Sequence, residues 1–255
     1  MGENQDKKIV EDIYVYEDIL KMLDSFLKEP SPFWNKFYED REKDIPFFSD
    51  VPDENLISYF QKEIIKSSKV LELGCGPGRN AIFMVQNGCD VDAVDMSEEA
   101  IIWAKERASI KKIKVNFICD SIFNIPIQEL EYDFIYDSGC LHHIPPHRRI
   151  QYVSLIEKTL KPKGYFGLVC FAAADDKNEN GLPKMSDWEV YREKSLRGGM
   201  GYTEEKLRNL FSKNFDIIEF RRMMDKDKTD LAMGKSFLWA ILLQKKIQNA
   251  DVLSN

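Results

Sequence analysis

The stretch Val70-Leu71-Glu72-Leu73-Gly74-Cys75-Gly76-Pro77-Gly78-Arg79-Asn80 decides how the rest of the chain is read. It opens as a short apolar run of the kind buried in parallel sheets. Glycines then occupy alternate positions, at Gly74, Gly76 and Gly78. After Arg79 an apolar spacing of helical period begins, through Ala81, Ile82, Met84 and Val85. A strand, a glycine turn and a helix in that order make a nucleotide-type site. Glycine lets the backbone approach a ligand closely, and a helix N-terminus offers free N–H groups.

Downstream the same alternation continues. Strands are expected at Asp90–Val94, Val115–Cys119, Tyr132–Tyr136 and Tyr165–Phe171. Gly88 closes the helix after the glycine turn. Ser97, followed by Glu98 and Glu99, caps the next one, where the helix dipole favours acids. Pro145 and Pro146 start a helix that buries Ile150, Val153, Ile156 and Leu160, and Pro162-Lys163-Gly164 turns into the fifth strand. Five strands alternating with helices predict a doubly wound α/β sheet. Residues 172–202 carry charges and glycines without a clear period, which marks a functional or disordered insertion. Thr203 caps a helix through Leu210. The segments Phe215–Phe220 and Ser236–Leu243, joined by a charged loop, then predict an antiparallel pair.

Upstream, Ile9, Ile13, Tyr16, Leu20, Leu23 and Leu27 give one apolar helix face over 9–27, stopped by Pro30 and Pro32. Pro52 and Asp53 precede a second helix, carried by Leu56, Ile57, Phe60 and Ile64. Between them Phe33, Trp34, Phe37, Tyr38, Phe47 and Phe48 stand among acids and lysines. Such a stretch packs on the core, covers an apolar ligand, or does both.

The 255 residues are 44% hydrophobic, enough for one sizeable core, and carry a net charge of −7. An acidic chain is not built to hold a phosphate backbone; Lys111, Lys112 and Lys114 read as a solvated helix end. No apolar run is long enough to span a membrane, and the charged N-terminus lacks the core of a signal peptide. Asp6 stands where a myristoylation signal wants Ser or Thr. Five scattered cysteines predict buried thiols and a cytoplasmic protein rather than a disulfide frame.

In an open parallel sheet, ligands sit at the carboxyl ends of the strands. Glu72, Asp95, Asp120 and Asp137 fall there. A single strand-end Asp reads first as a helix cap. Four acids in succession around a glycine turn read as a site, and Asp95, 21 positions after Gly74, can accept both hydroxyls of a ribose. A dinucleotide fingerprint would need a third glycine where Arg79 stands, and no P-loop pattern occurs. The turn is therefore not shaped for a pyrophosphate, which disfavours a nicotinamide-dependent oxidoreductase.

Glu72-x-Gly74-x-Gly76-x-Gly78, Asp95, Asp120 and Leu160-x-Pro162-x-Gly164 together resemble the class I S-adenosylmethionine-dependent methyltransferases. The resemblance covers residues 69–171 closely and reaches 243 in outline. It implies a seven-stranded, mostly parallel sheet of order 3-2-1-4-5-7-6 with strand 7 antiparallel. It implies S-adenosyl-L-methionine as cofactor, with the backbone of Gly74, Cys75, Gly76 and Gly78 against the methionine part. Glu72 would orient the turn, Asp95 take the ribose hydroxyls, and Met96 pack on the adenine. Asp120 and Ser121 would face the adenine amino group, and Asp137 and Ser138 the sulfonium and amino-acid end. One domain is expected over 1–255. It comprises N-terminal helices and an aromatic lid (1–66), a cofactor-binding half (67–171), a substrate-side insertion (172–202) and a C-terminal helix and strand pair (203–245).

The segment after the fourth strand sets the subclass. The Asn/Asp-Pro-Pro-aromatic motif of amino-methylating enzymes is absent from it. All three histidines fall there: His142, His143 and His147. With Cys140 they suggest a metal site, but adjacent loop histidines rarely reach one ion, and none is expected. A general base at His142 or His143, ahead of His147, is the chemical reading; loop packing and helix capping is the bland one. Trp34, Tyr38 and, across the insertion, Trp188 are candidate substrate walls. The aromatic cover resembles that of small-molecule methyltransferases, the thiopurine, thiol, halide and tellurite branch included. The expected function is methyl transfer to a small molecule by a monomer or homodimer, with neither nucleic acid nor membrane as partner. Methylation of RNA or protein, and cofactor binding without turnover, are the alternatives.

Overall fold

The computed structural model describes residues 12–126, 128–174 and 181–247. Ile9, the start of the expected first helix, and the end of the tail lie outside them, as do residues 175–180 of the insertion. The strands are β1 (Lys69–Leu73), β2 (Asp90–Asp95), β3 (Asn116–Cys119), β4 (Tyr132–Ser138), β5 (Leu160–Phe171), β6 (Phe215–Arg222) and β7 (Leu238–Lys245). They form one sheet in the order 3-2-1-4-5-7-6. β1 to β5 run parallel, and β7 is antiparallel to both of its neighbours. This is the topology that the resemblance implies.

The helices are α1 (Tyr16–Asp24), α2 (Pro30–Glu39), α3 (Glu54–Gln61), α4 (Arg79–Gln86), α5 (Glu98–Ile110), α6 (Arg149–Thr159), α7 (Asp187–Glu193) and α8 (Glu204–Phe211). The strands are apolar on both faces because helices cover both. Leu71, Leu73, Ile135, Phe166 and Leu168 pack with Tyr152, Ile156, Leu207 and Phe211 of α6 and α8. Their strand neighbours Val70, Phe134, Tyr136 and Val169 point the other way, onto Leu56, Tyr59, Ala81 and Met84 of α3 and α4.

Several local readings need correction; Ile150, expected on the buried side of α6, is exposed. Pro30 starts α2 rather than only ending the helix before it, because proline fits the first helical turn, where its missing N–H costs nothing. The Pro162-Lys163-Gly164 turn is an irregularity inside β5. Tyr132 faces Leu160 while Phe134 faces Tyr165, so the extra residues are squeezed out of the ladder. Within the insertion, α7 is a short helix whose Ser186 and Glu189 form a capping box.

Register aligns the strand ends that matter. Leu73 lies beside Val94 on one side and Asp137 on the other, and Asp95 lies beside Cys119. The carboxyl ends of β1 to β4 therefore open on one edge of the molecule. Phe166, fully buried against Tyr152, Phe211 and Phe215, joins the sheet to α6 and α8 behind that edge. Phe166→Ala should lower unfolding free energy by about 3–5 kcal/mol, as expected for a large core truncation, in denaturant titration. A loss below about 1 kcal/mol would contradict this packing role.

Candidate functional site

The glycine turn takes its shape from left-handed backbone. Gly74, Gly76 and Gly78 have φ of +67°, +51° and +76°, a region costly for side chains. A Cβ at Gly74 would stand 2.8 Å from that of Cys140, and one at Gly76 would stand 3.0 Å from the Tyr38 hydroxyl. Gly78 instead lets α4 sit close to Ala104 and Phe117. The Cys75 N–H donates to the Val94 carbonyl at 2.9 Å, which ties the turn to β2.

The four strand-end acids have different fates. Asp95 is buried, and its two oxygens accept the Gly76 N–H at 2.8 Å and the Ser97 N–H at 2.9 Å. It holds turn and helix start together while lining the cavity above them. Asp120 is exposed and does not line that cavity. Its carboxylate takes the Ser121 N–H and the Asn124 amide, so it caps a local turn, and Ser121 reaches the cavity instead. Asp137, expected near the sulfonium, is fully buried and spent on its own loop. It accepts from the Cys140 and Leu141 N–H groups and from the Tyr152 hydroxyl. Burial pushes this carboxyl up to about 6, against those bonds. From this loop Ser138, Gly139 and Cys140 face the cavity.

Glu72 lies beneath the turn, and its Oε2 has no hydrogen-bond partner among the described residues. Burial pushes its carboxyl up to about 8, with the Arg79 charge pulling the other way and Asp53 adding to the rise. Arg79 gives its Nη2 to Asp53 at 2.7 Å, with both side chains almost wholly buried. The guanidinium is thus committed to Asp53, while burial holds the Glu72 carboxyl up. Arg79 also reaches the Ser138 hydroxyl at 3.1 Å and the Val51 carbonyl at 3.1 Å. Asp53 further accepts from the Tyr136 hydroxyl at 2.8 Å and the Asn80 amide at 3.0 Å. Sequence reading placed Asp53 only before a helix and Arg79 only as a missing glycine. The pair sits 26 residues apart with no periodic signal to join it.

The aromatic segment is a folded cover. Asn35 of α2 accepts from the Ser97 hydroxyl and the Glu98 N–H at the start of α5. Phe48 packs edge-on to Trp103 of α5. So docked, α2 puts Tyr38 over the glycine turn and Trp34 against His143, with ring centres 4.6 Å apart. Trp188 is 75% exposed and lies outside the cavity, which corrects its expected place as a wall; Leu196 and Gly198 line that side instead. His147 bonds Tyr191 and Asp24 through its two ring nitrogens and so fastens α1. His142 is buried, and its Nδ1 accepts the Phe171 N–H at 3.2 Å. A nitrogen so engaged has no lone pair left for a substrate proton. Burial lowers both remaining imidazoles, His142 strongly and His143 to about 4.

One cavity of about 1450 Å³ joins these groups, from Gly74, Asp95 and Met96 to Trp34, His143 and Phe171. Single-ligand sites run to roughly 300–1,000 Å³, so this one has room for two ligands side by side. A separate hollow of about 380 Å³ is lined by Arg149, Asp187 and Lys206.

A family model described as a methyltransferase domain matches residues 70–164. The chain carries a class I S-adenosylmethionine-dependent methyltransferase domain. Over 122 residues it is 31% identical to an uncharacterized methyltransferase of Synechocystis, covering 48% of this chain and 53% of that one. Over 110 residues it is 31% identical to a ubiquinone biosynthesis O-methyltransferase of Coxiella burnetii, covering 42% and 46%. The chain thus spans about half the length of these curated relatives. The crystal structure of TehB from Haemophilus influenzae shares the fold, with a TM-score of 0.57 at 24% identity over 75% of this chain and 62% of that one.

The cofactor of the methyltransferase domain is S-adenosylmethionine, and the cavity has groups for each of its parts. The Asp95 carboxylate suits a diol, Met96 and Ile122 suit a flat base, and Arg79 with Ser138 suits an amino-acid carboxylate. The glycine backbone between them leaves no side chain in the way.

Glu72 makes folding depend on pH. A carboxyl protonated in the fold and ionised when unfolded contributes fully below the ordinary carboxyl range and loses its contribution as pH rises through about 8. The depressed imidazoles His142 and His143 act oppositely, an effect half spent at about pH 6.5 and complete only about a unit higher. Unfolding free energy of the ligand-free chain should therefore fall by about 1 kcal/mol between pH 6.5 and 8. In Glu72→Gln the fall should vanish. Parallel curves for the two proteins in denaturant titrations would refute this account.

Proposed function

We propose that the methyltransferase domain transfers a methyl group from S-adenosylmethionine to a small molecule held between α2 and the His142–His143 turn. The observation that carries this reading is the length of the cavity. It continues past the Gly74–Asp95 end into an aromatic compartment formed by Trp34, His143, Phe171 and Phe237. A binding module without turnover would have no use for that second compartment. When bound, the cofactor supplies a methyl group on a sulfonium, and the acceptor's lone pair bonds to it as the sulfur–carbon pair returns to sulfur.

In this reading Asp95 orients the ribose, Met96 and Ser121 contact the base, and Arg79 and Ser138 hold the amino-acid end. Tyr38 covers the cofactor rather than the acceptor, because its hydroxyl lies over Gly76. Trp34 and Phe171 exclude water from the acceptor, which is most of what an in-line displacement asks of its surroundings. The turn from Gly74 to Gly78 and the protonated Glu72 beneath it fix the floor.

Among the described residues no helix is long and apolar enough to cross a membrane. All five cysteines are free thiols, which supports a cytoplasmic setting. The net charge of −7 opposes a nucleic-acid acceptor. The similarity to an O-methyltransferase of ubiquinone biosynthesis and the enclosed aromatic compartment both favour a small acceptor. A monomer or homodimer suffices, since the cavity is lined within one chain.

Calorimetry should show S-adenosylhomocysteine binding to the intact chain. Asp95→Ala should weaken it more than tenfold, two charge-assisted hydrogen bonds being worth about 1.5–3 kcal/mol each. Equal affinity in the variant would remove the ribose assignment. A screen of thiols, phenols, amines, halides and RNA with methyl-labelled cofactor then identifies the acceptor. Transfer to RNA alone would overturn the small-molecule reading.

A further inference from the structure

The edge of β5 leaves a backbone donor that no strand can take. β4 pairs with β5 as far as Ser138 opposite Val169, and the Gly139 N–H donates to the Val169 carbonyl at 3.0 Å. The next N–H on that edge is Phe171's, and the chain after Gly139 has already turned away. Leaving it buried and unpaired would cost about 1–3 kcal/mol. The His142 imidazole fills the gap. Its Nδ1 accepts the Phe171 N–H at 3.2 Å, and its ring stacks on the Phe171 ring with centres 3.8 Å apart. The Met200 N–H donates to the His142 carbonyl at 2.8 Å, fixing the turn from the other side.

This arrangement decides where the proton sits. A neutral imidazole has one acceptor and one donor nitrogen, and a backbone N–H can meet only the acceptor. With Nδ1 accepting, the hydrogen is on Nε2. That nitrogen has no partner among the described residues, although His142 is only 4% exposed and lines the cavity. It stands beside Gly139, about where a Cβ of that glycine would meet it at 3.8 Å. Besides burial, the neighbouring group that opposes a charge on His142 is His143. His143 faces Trp34 and, among the described residues, has no hydrogen-bonded carboxylate to raise its basicity.

We propose that His142 is a fixed hydrogen-bond donor, not a base, and that it positions an acceptor that arrives without a proton on its reacting atom. This rests on the methyltransferase reading. The ligand class is a soft or resonance-stabilised anion, such as a thiolate or an acidic phenolate, with an apolar body against Trp34 and Phe171. An anionic acceptor and a cationic methyl donor give two neutral products, so no proton has to leave and no base is needed. The Nε2–H aligns the acceptor atom and adds selectivity against cations and protonated amines, which offer it no lone pair.

Long-range 1H–15N spectra of the full chain with labelled histidine, at pH 7 with S-adenosylhomocysteine bound, test the donor directly. One imidazole should show the Nε2–H tautomer and vanish in His142→Gln. An Nδ1–H tautomer or an imidazolium at that position would overturn the assignment. Turnover gives a second arm, with thiophenol, 4-nitrophenol and benzyl alcohol as acceptors. The first two should be methylated in proportion to their ionised fraction, and the alcohol at least a hundredfold more slowly. His142→Phe, which keeps the stack on Phe171, should lose ten- to hundredfold in kcat with cofactor affinity held. His142→Gln, whose amide has both an acceptor and a donor, should recover most of that loss. Equal rates for alcohol and thiophenol, or full kcat in His142→Phe, would overturn the proposal. Loss of S-adenosylhomocysteine binding in the natural chain would instead sink the methyltransferase reading, while the wrong tautomer with binding intact sinks only the donor.

Discussion

Arg79 and Asp53 meet at 2.7 Å almost out of reach of water, and turn, sheet and N-terminal segment are joined through that pair. Two buried charges are costly unless their remaining hydrogen-bonding capacity is filled. Here it is filled from every side. Tyr136 comes from β4, Asn80 from α4, Val51 from the segment before α3, and Ser138 from the loop after β4. The same segment is fastened to the C-terminal part of the chain, where the Glu54 N–H donates to the Met233 carbonyl and the Met233 N–H to that of Pro52. The pair thus fixes the orientation of the helix that starts at Arg79, and with it the glycine turn. Glu72 is buried beside the same pair, and its carboxyl is pushed up chiefly by that burial, with Asp53 adding to the rise.

A second constraint is the unequal length of the strands at the open edge. β4 stops before β5 does, and the chain must satisfy the backbone it leaves behind. Asp137 turns back to accept two loop N–H groups, and His142 takes the N–H of Phe171. Residues that look reactive in a sequence are here the ones that finish the sheet. That is why a carboxylate expected at the ligand is buried below it, while the neighbouring Ser138 and Gly139 present the surface.

Much of the fold was legible because it rests on local periodicity. Apolar runs, glycines and caps between residues 69 and 171 mark strand and helix directly, and their order gives the sheet. The antiparallel end was legible as two β-rich segments with no helix between them. Part of the site was equally local: Gly74, Asp95, Met96 and Ser121 line the cavity because each sits at or just after a strand end. What could not be read depends on meetings across the chain. Asp53 with Arg79, Asn35 with Ser97, and Asp24 with His147 are pairs of ordinary surface-type residues until the fold brings them together. Trp188 shows the opposite error: its aromatic character suggested a wall, but the apolar side of the short α7 is carried by Val190. Tautomers lie further off still, since that of His142 follows from where β4 stops.

The docking of α2 on α5 has a practical side. It places one indole, Trp34, inside the cavity and against the His143 ring, while Trp103 stacks with Arg107, Trp239 lies in the sheet and Trp188 faces water. The protein therefore carries its own optical reporter. Emission from Trp34 senses whatever fills the space beside His143, and the exposed Trp188 can be silenced by substitution without touching the cavity. Occupancy of the two compartments becomes observable in unlabelled protein, by light rather than by turnover.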